Sequence, residues 1–291
     1  MRTFVFTCLL LLGMTTFAQD ANFHIYLCLG QSNMEGNAKV EEQDTVAVDS
    51  RFQVLAAVDC PNLGRTKGNW YKAVPPLARC YTGLTPGDYF GRAMVANLPS
   101  NVRIGIINVA VGGCRIELFD KDNYQSYVAT SPDWLKNMVK EYGGNPYARL
   151  VEMAKLAQKD GVIKGVLLHQ GESNTNDKDW PLKVKGVYDN LLNDLGLSAA
   201  NVPLLAGEVV HADQNGVCAS MNTIIDSLPQ VIPTAHVISS AGCPAAFDNL
   251  HFTAEGYRML GARYAAKMLS ILGYGDWTSC LLYTSPSPRD P

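Results

Sequence analysis

The sequence lacks the features of several large classes of protein. Its 291 residues include 24 basic and 27 acidic residues, but no run of Lys or Arg that could follow a phosphate backbone. We therefore expect no nucleic acid partner. The apolar run from Phe4 to Met14 is too short to span a bilayer, which takes about 20 residues. We expect no membrane attachment of the mature chain.

Histidine is also scarce, with five residues in the chain. His24, His211 and His236 show no spacing with cysteines or carboxylates that is typical of metal ligands. We therefore expect no metal and no cofactor. The sequence leaves the oligomeric state open.

The two ends of the chain differ in composition from the rest. Residues 1–18 combine one positive charge, a short apolar core and small residues before Gln19, which is the pattern of a secretory signal peptide. A buried first strand or helix is the alternative. Residues 280–291 resemble a translated sequencing adaptor and are predicted to be non-native. We expect a secreted or periplasmic protein with a single domain over residues 19–279.

Six of the eight cysteines lie between these two ends. An even number of cysteines in an exported protein permits disulfides without proving them. Cys60 and Cys80 flank a loop rich in Gly and Pro, and Cys218 and Cys243 flank a helix and a strand, so these are the favoured pairs. Cys28 lies inside an apolar strand and is predicted to be a small core residue.

Short apolar segments alternate with helical patterns along the chain. Strands are predicted at 24–29, 102–109, 165–168, 202–207 and 235–239. Helices are predicted at 89–98, 146–159, 180–195, 221–228 and 253–272. This alternation predicts an α/β fold of three layers, α/β/α and flavodoxin-like, with a central parallel sheet of about five strands.

Four polar or glycine-rich segments follow predicted strands. They are Gly-Gln-Ser-Asn-Met at 30–34, Ala-Val-Gly-Gly-Cys at 110–114, His-Gln-Gly-Glu-Ser-Asn at 169–174 and Asp-Asn-Leu-His at 248–251. In open α/β sheets the ligand site forms outside the carboxyl ends of the strands. We therefore expect all four segments to converge on one edge.

Ser32 comes directly after the first predicted strand. A serine on a tight turn between a strand and a helix presents its hydroxyl, and the backbone N–H groups of the turn can face a developing negative charge. Ser32 is therefore a candidate nucleophile. The alternative is a serine that merely caps a helix.

Asp248 precedes His251 by three residues, just before a predicted helix start. A turn can let this carboxylate accept a hydrogen bond from Nδ1 of His251, so that Nε2 is left to take a proton from Ser32. The alternative is a capping loop on the surface. Asp248 and His251 indicate a catalytic site only when they are considered together with Ser32.

Two further residues are candidates for stabilising an oxyanion. Gly113 ends the second strand, where a glycine lets a backbone N–H approach a ligand oxygen closely, although a simple tight turn is an equal alternative. Gln170 offers a side-chain amide at the end of the third strand. Both are expected to donate to the oxyanion beside the N–H of Ser32.

Together the four segments resemble the SGNH hydrolase superfamily, in particular the carbohydrate esterases of family six and the sialate O-acetylesterase-like domains. The resemblance covers residues 24–272 and rests on the four motifs in the same order at strand ends. It implies Ser32 as the nucleophile, His251 as the base and Asp248 as the orienting acid. It also implies an oxyanion hole built from Ser32, Gly113 and Gln170.

The resemblance leaves Glu172 as a competing candidate for the triad acid, with Asp248 favoured because it lies close to His251 in the sequence. It implies a secreted serine esterase that removes acetyl groups from a polysaccharide or oligosaccharide, with acetylated xylan as the expected substrate. A sialate O-acetylesterase is the alternative. A third hypothesis is a carbohydrate-binding protein without catalysis. The aromatic residues that could stack on sugar rings are Trp70, Tyr71, Tyr81, Phe119, Tyr124 and Trp134.

Overall fold

A seven-stranded sheet forms the centre of the protein in a computed structural model that describes residues 19–275. Its strands are β1 (Asp20–Gly30), β2 (Phe52–Leu55), β3 (Trp70–Lys72), β4 (Arg103–Ala110), β5 (Gly161–His169), β6 (Leu204–Gly207) and β7 (Ala235–Ile238). Their order is β3-β2-β4-β1-β5-β6-β7. Every neighbouring pair is parallel except β2 with β3. The predicted signal peptide, 1–18, and the predicted tail, 280–291, lie outside the described residues.

All five predicted strands are present, and the α/β fold with a mostly parallel sheet is confirmed. The sheet has seven strands rather than about five because β2 and β3 add to one edge. These strands contain four and three residues, which is too short to produce a recognisable alternation in the sequence.

Helices cover both faces of this sheet. They are α1 (Ser32–Glu35), α2 (Glu42–Thr45), α3 (Pro86–Asn97), α4 (Tyr124–Thr130), α5 (Asp133–Glu141), α6 (Pro146–Ala157), α7 (Trp180–Leu195), α8 (Asn222–Ile225), α9 (Leu228–Val231) and α10 (Ala254–Ile271). The helix predicted at 221–228 is instead divided between α8 and α9. Helices α4 and α5 were not predicted, and α5 contributes to the site described below.

The central strand shows why the protein has three layers. Side chains of β1 alternate, so that Ile25, Leu27 and Leu29 join one buried cluster with α6 and α7. Tyr26 and Cys28 point to the other face and join the cluster of α3 and α10. A strand buried on both faces is apolar throughout, which explains the continuous apolar run in the sequence. The prediction that Cys28 is a core residue is confirmed.

Three of the long helices, α3, α6 and α10, begin at a side chain that accepts a hydrogen bond from a backbone N–H of the first turn. Thr85 accepts from Gly87 N while Asp88 accepts from Thr85 N, a capping box at the start of α3. Asn145 caps α6 by accepting from the N–H of Ala148, and Thr253 caps α10 by accepting from the N–H of Gly256. Among the described helices, none is long and apolar enough to cross a membrane.

One of the two predicted disulfides is present, and the prediction of the other is wrong. Cys60 and Cys80 are bonded. Cys218 and Cys243 are both free thiols. Cys218 packs on the α6 and α7 side of the sheet, whereas Cys243 is buried on the α3 and α10 side. The two cysteines therefore belong to different buried clusters, a relation that their positions in the sequence do not reveal.

We predict that replacing both Cys60 and Cys80 with serine lowers the free energy of unfolding by about 3 kcal/mol, because the bond closes a loop with a sequence separation of 20. Urea denaturation followed by fluorescence measures the change. The matched control is Cys218→Ser, which removes a free thiol and should shift the midpoint much less. Equal shifts would show that Cys60 and Cys80 are not bonded in solution.

Candidate active site

The turn after β1 presents Ser32. Gly30 has φ +149°, and a Cβ at this position would lie 2.0 Å from the backbone oxygen of His169. Only glycine fits such a close approach between neighbouring strands. The N–H of Gln31 then donates to that same oxygen at 3.0 Å. The chain therefore turns sharply at the end of β1, and Ser32 begins α1 at the edge of the sheet.

The structure brings Ser32, His251 and Asp248 into one hydrogen-bonded chain. Nε2 of His251 lies 2.8 Å from Oγ of Ser32, and Nδ1 lies 2.7 Å from Oδ2 of Asp248. With the proton on Nδ1, the imidazole donates to Asp248 and accepts from the serine hydroxyl. Ser32 and His251, 219 residues apart in the chain, thus form with Asp248 the arrangement that an activated serine requires.

The Asp248 carboxylate is fixed by its own backbone turn. Its Oδ1 accepts from the N–H groups of Leu250 and His251, both at 3.0 Å. Burial opposes the charged form of Asp248, but the hydrogen bonds from the His251 ring and from these backbone groups outweigh it and lower its pKa. Asp248 is therefore a stable anion beside the imidazole.

Asn33 joins the nucleophile turn, residues 30–34, to the histidine loop, residues 248–251. Its Nδ2 donates to the backbone oxygen of Leu250 at 3.0 Å, and its Oδ1 accepts from the Tyr257 hydroxyl at 2.6 Å. Asn33 is completely buried. The residues next to Ser32 and His251 are thereby held at a fixed separation, although they come from opposite ends of the domain.

Glu172 lies in the same cavity but contacts a different partner. Its Oε1 accepts from Nδ2 of Asn33 at 2.5 Å, and the part of the chain that the structure describes contains no hydrogen bond between Glu172 and His251. Burial raises the pKa of Glu172, and the hydrogen bond from Asn33 only partly offsets this. The geometry therefore favours Asp248 over Glu172 as the acid that orients His251.

Gly113 is placed where its N–H can meet a ligand. It lies at φ +69°, and a Cβ there would come 2.7 Å from the indole of Trp134. Gly113 and Ser32 line one cavity. Within residues 19–275, the N–H groups of these two residues donate to no other protein group. Both are therefore available to an oxyanion.

The expectation for Gln170 is not supported by its position. Its Nε2 donates to Asn174 Oδ1 at 2.8 Å and to Gln31 Oε1 at 3.1 Å, and its Oε1 accepts from the Trp180 indole at 2.5 Å. Gln170 is buried beneath the cavity and does not line it. Its amide is already fully used inside the protein and cannot also face an oxyanion.

Gln31, rather than Gln170, is the glutamine that lines the cavity. Its Oε1 accepts from the N–H groups of Gly171 at 3.4 Å and Ser173 at 3.2 Å, besides the amide of Gln170. Gln31 lines the cavity, and its Nε2 makes no hydrogen bond to any described residue. A polar residue directly before a candidate nucleophile was visible in the sequence, but the direction of its amide was not.

The cavity around these groups is open and has a volume of about 370 Å³. Ser32, His251 and Gly113 line it, together with Trp134 and Met138 from α5. A second cavity of about 440 Å³, near Glu117 and Lys183, contains none of the candidate catalytic residues. The described residues contain no group of three His, Cys, Asp or Glu side chains that could hold a metal ion.

Residues 22–270 match the family described as "Carbohydrate esterase, sialic acid-specific acetylesterase". The chain belongs to this family. A relative in Arabidopsis thaliana, described as a probable carbohydrate esterase and named At4g34215, is 26% identical over 264 residues, which are 84% of this chain and 90% of the relative. The protein is accordingly a carbohydrate acetylesterase, a carboxylic ester hydrolase, as the resemblance in the sequence implied.

Solved structures confirm the SGNH-like fold. The Arabidopsis protein At4g34215 superposes with a TM-score of 0.66 at 22% identity, over 86% of this chain and 99% of that one. NanS superposes with a TM-score of 0.62 at 15% identity, over 89% and 99%. XAC1771, described as a carbohydrate acetylesterase from Xanthomonas citri, gives 0.59 at 18% identity, over 85% and 56%.

We predict that Ser32→Ala lowers kcat on a soluble acetyl ester by about 10⁴-fold or more, because the nucleophilic oxygen is lost while the fold is kept. A fluorophosphonate probe should label the wild-type protein at Ser32 and leave the variant unlabelled. Peptide mapping by mass spectrometry locates the label. Labelling of another residue would contradict the assignment of the nucleophile.

We also predict that Asp248→Asn is far more damaging than Glu172→Gln. Loss of the Asp248 carboxylate removes the acceptor that fixes the His251 tautomer, which costs about 10⁴-fold in kcat. Loss of the Glu172 carboxylate weakens only the contact with Asn33, for which we expect roughly 10- to 100-fold. Both variants are assayed on one acetyl ester at one pH. The reverse order would make Glu172 the triad acid.

Proposed function

We propose that this protein is a secreted serine esterase that removes O-acetyl groups from a neutral carbohydrate, with acetylated xylan as its substrate, through an acetyl-enzyme on Ser32. The observation that carries the proposal is the continuous hydrogen-bonded chain from Ser32 through His251 to Asp248, which opens into a cavity. Such a chain is the arrangement by which a weak serine nucleophile is activated.

In the first step Oγ of Ser32 attacks the acetyl carbonyl carbon as Nε2 of His251 takes the hydroxyl proton. The carbonyl oxygen becomes an oxyanion, which accepts hydrogen bonds from the N–H groups of Ser32 and Gly113 and from Nε2 of Gln31. Asp248 stabilises the imidazolium that forms. The bond to the sugar oxygen then breaks, and that oxygen leaves with the proton from His251.

In the second step water replaces the sugar. His251 takes a proton from water, the resulting hydroxide attacks the acetyl carbon, and the same donors hold the second oxyanion. The bond to Oγ breaks, Ser32 regains its proton from His251, and acetate leaves. Every proton in this sequence passes through His251, so the reaction needs no cofactor.

The lining of the cavity supports a neutral sugar. Among its described residues there is no Lys or Arg, and the nearby Arg79 is already paired with Glu35 and Glu141. A sugar carboxylate would find no cation there, and a charge without a partner is costly to desolvate. Trp134 adds an aromatic surface that is 53% exposed, which suits the apolar face of a sugar ring.

A sialate O-acetylesterase is the second candidate. The observation that favours it is the description of the family, which names sialic acid. Both candidates use the same chemistry on the acetyl group, so they differ only in the sugar that the outer part of the cavity accepts.

The proposed site of action is outside the cytoplasm, after removal of residues 1–18. The bond between Cys60 and Cys80 supports this part of the proposal. Disulfides form and persist in oxidising compartments and are rare in the cytosol.

We predict that kcat/KM is at least about tenfold higher on acetylated xylo-oligosaccharides than on O-acetylated sialic acid, because only the second substrate brings an unpaired carboxylate into the cavity. Acetate release from equal concentrations of the two substrates measures the ratio. Ser32→Ala serves as the blank for spontaneous hydrolysis. A higher kcat/KM on the sialic acid ester would contradict the proposal of xylan and favour a sialate O-acetylesterase. It would not contradict the serine mechanism.

A further inference from the structure

Glu35 connects the nucleophile turn to the turn that carries Gly113. It is the last residue of α1, three residues after Ser32, and its side chain is buried. Its Oε1 accepts from the backbone N–H of Gly112 at 3.1 Å. The carboxylate of one turn thus contacts the backbone of the other, next to the group that is proposed to bind the oxyanion.

Arg79 holds this carboxylate in place. Its Nε and Nη2 both donate to Oε1 of Glu35, at 3.2 Å and 2.5 Å, and its Nη1 donates to Glu141 of α5 at 2.5 Å. Burial raises the pKa of Glu35, and the guanidinium opposes that rise. A lone buried carboxylate would be costly, and the guanidinium of Arg79 reduces that cost.

The turn at Gly112 and Gly113 needs such external contacts. The backbone N–H of Cys114 donates to the Val111 oxygen at 3.2 Å, and this hydrogen bond closes a four-residue turn around the two glycines. Adjacent glycines have wide conformational freedom, so the turn does not fix its own orientation. Three side chains anchor it from outside. Glu35 accepts from the N–H of Gly112, Ser173 Oγ donates to the Gly113 oxygen at 3.0 Å, and Gln170 Nε2 donates to the Cys114 oxygen at 3.3 Å.

We propose that Glu35, oriented by Arg79, is a positioning residue for the oxyanion hole. By holding the N–H of Gly112 it fixes the next peptide group, so that the N–H of Gly113 points into the cavity beside Ser32. The close approach of Glu35 also requires glycine at position 112, because a Cβ there would lie 2.8 Å from Oε2 of Glu35. The inference rests on the proposed acyl-transfer function and does not depend on which sugar is the substrate.

The test compares Glu35→Met with Glu35→Gln on two esters, p-nitrophenyl acetate and an acetylated xylo-oligosaccharide. Glu35→Met removes the acceptor for the Gly112 N–H, and we expect kcat to fall roughly 10- to 100-fold. The fall should be equal on both esters with KM nearly unchanged, because the oxyanion hole acts on the acetyl group in the transition state. Glu35→Gln keeps an acceptor oxygen and should restore most of kcat.

Arg79→Met gives a second, independent reading, because Arg79 does not line the cavity. It should also lower kcat on both esters at constant KM, by about tenfold. The matched control is Glu141→Gln, which weakens only the ion pair between Nη1 of Arg79 and residue 141. It should leave kcat within about twofold on both esters. Thermal unfolding of each variant shows that the assayed protein is folded.

Three results would overturn the inference. An unchanged kcat in Glu35→Met and Arg79→Met would mean that the contact with Gly112 is dispensable. A loss confined to the sugar ester with a raised KM would make Glu35 a substrate contact instead. Equal losses in Glu141→Gln and Arg79→Met would assign the cluster to the fold alone. The p-nitrophenyl ester keeps the test valid if xylan is not the substrate, and labelling of Ser32 by fluorophosphonate reports separately on the proposed nucleophile.

Discussion

The register of three neighbouring strands is the constraint on which the rest of the site depends. Gly30 at the end of β1 pairs with Ala110 of β4 on one side and with His169 of β5 on the other. Parallel strands in this register end at the same level, so the turns that follow them must meet. The absence of a side chain at Gly30 permits the contact with His169, and any larger residue would separate β1 from β5 and move Ser32 with it.

The histidine loop does not belong to these three strands and has to be held in another way. It precedes α10, which packs against α3 on one face of the sheet. Tyr257 of α10 and the backbone of Leu250 both bind Asn33, directly after Ser32. The distance from the serine to the histidine is therefore set by one buried amide. A loop on the surface could not supply that precision without such a contact, because loops are the more mobile parts of a fold.

Much of this arrangement could be predicted from the sequence, because its signals are local. A strand followed by a turn places Ser32, and a spacing of three residues places Asp248 beside His251 whatever the rest of the chain does. What the sequence could not show depends on contacts between distant segments. The amides of Gln31 and Gln170 are chemically alike, and only their neighbours decide that the first faces the cavity and the second lies beneath it. The short edge strands escape prediction for the same reason, as does the placement of Cys218 and Cys243 in different buried clusters.

The carboxylates around the cavity illustrate how environment divides similar groups between different tasks. Asp248 receives backbone N–H groups and the imidazole, and its pKa is lowered, so it can remain charged beside an imidazolium. Glu172 is more deeply buried, and burial raises its pKa more than the backbone N–H groups and Asn33 lower it. Glu35 is also buried and its pKa is raised, although Arg79 supplies an opposite charge that opposes the rise. Charge can thus develop on His251 against one fixed anion, while the other two carboxyl groups are engaged in holding the turns that surround it.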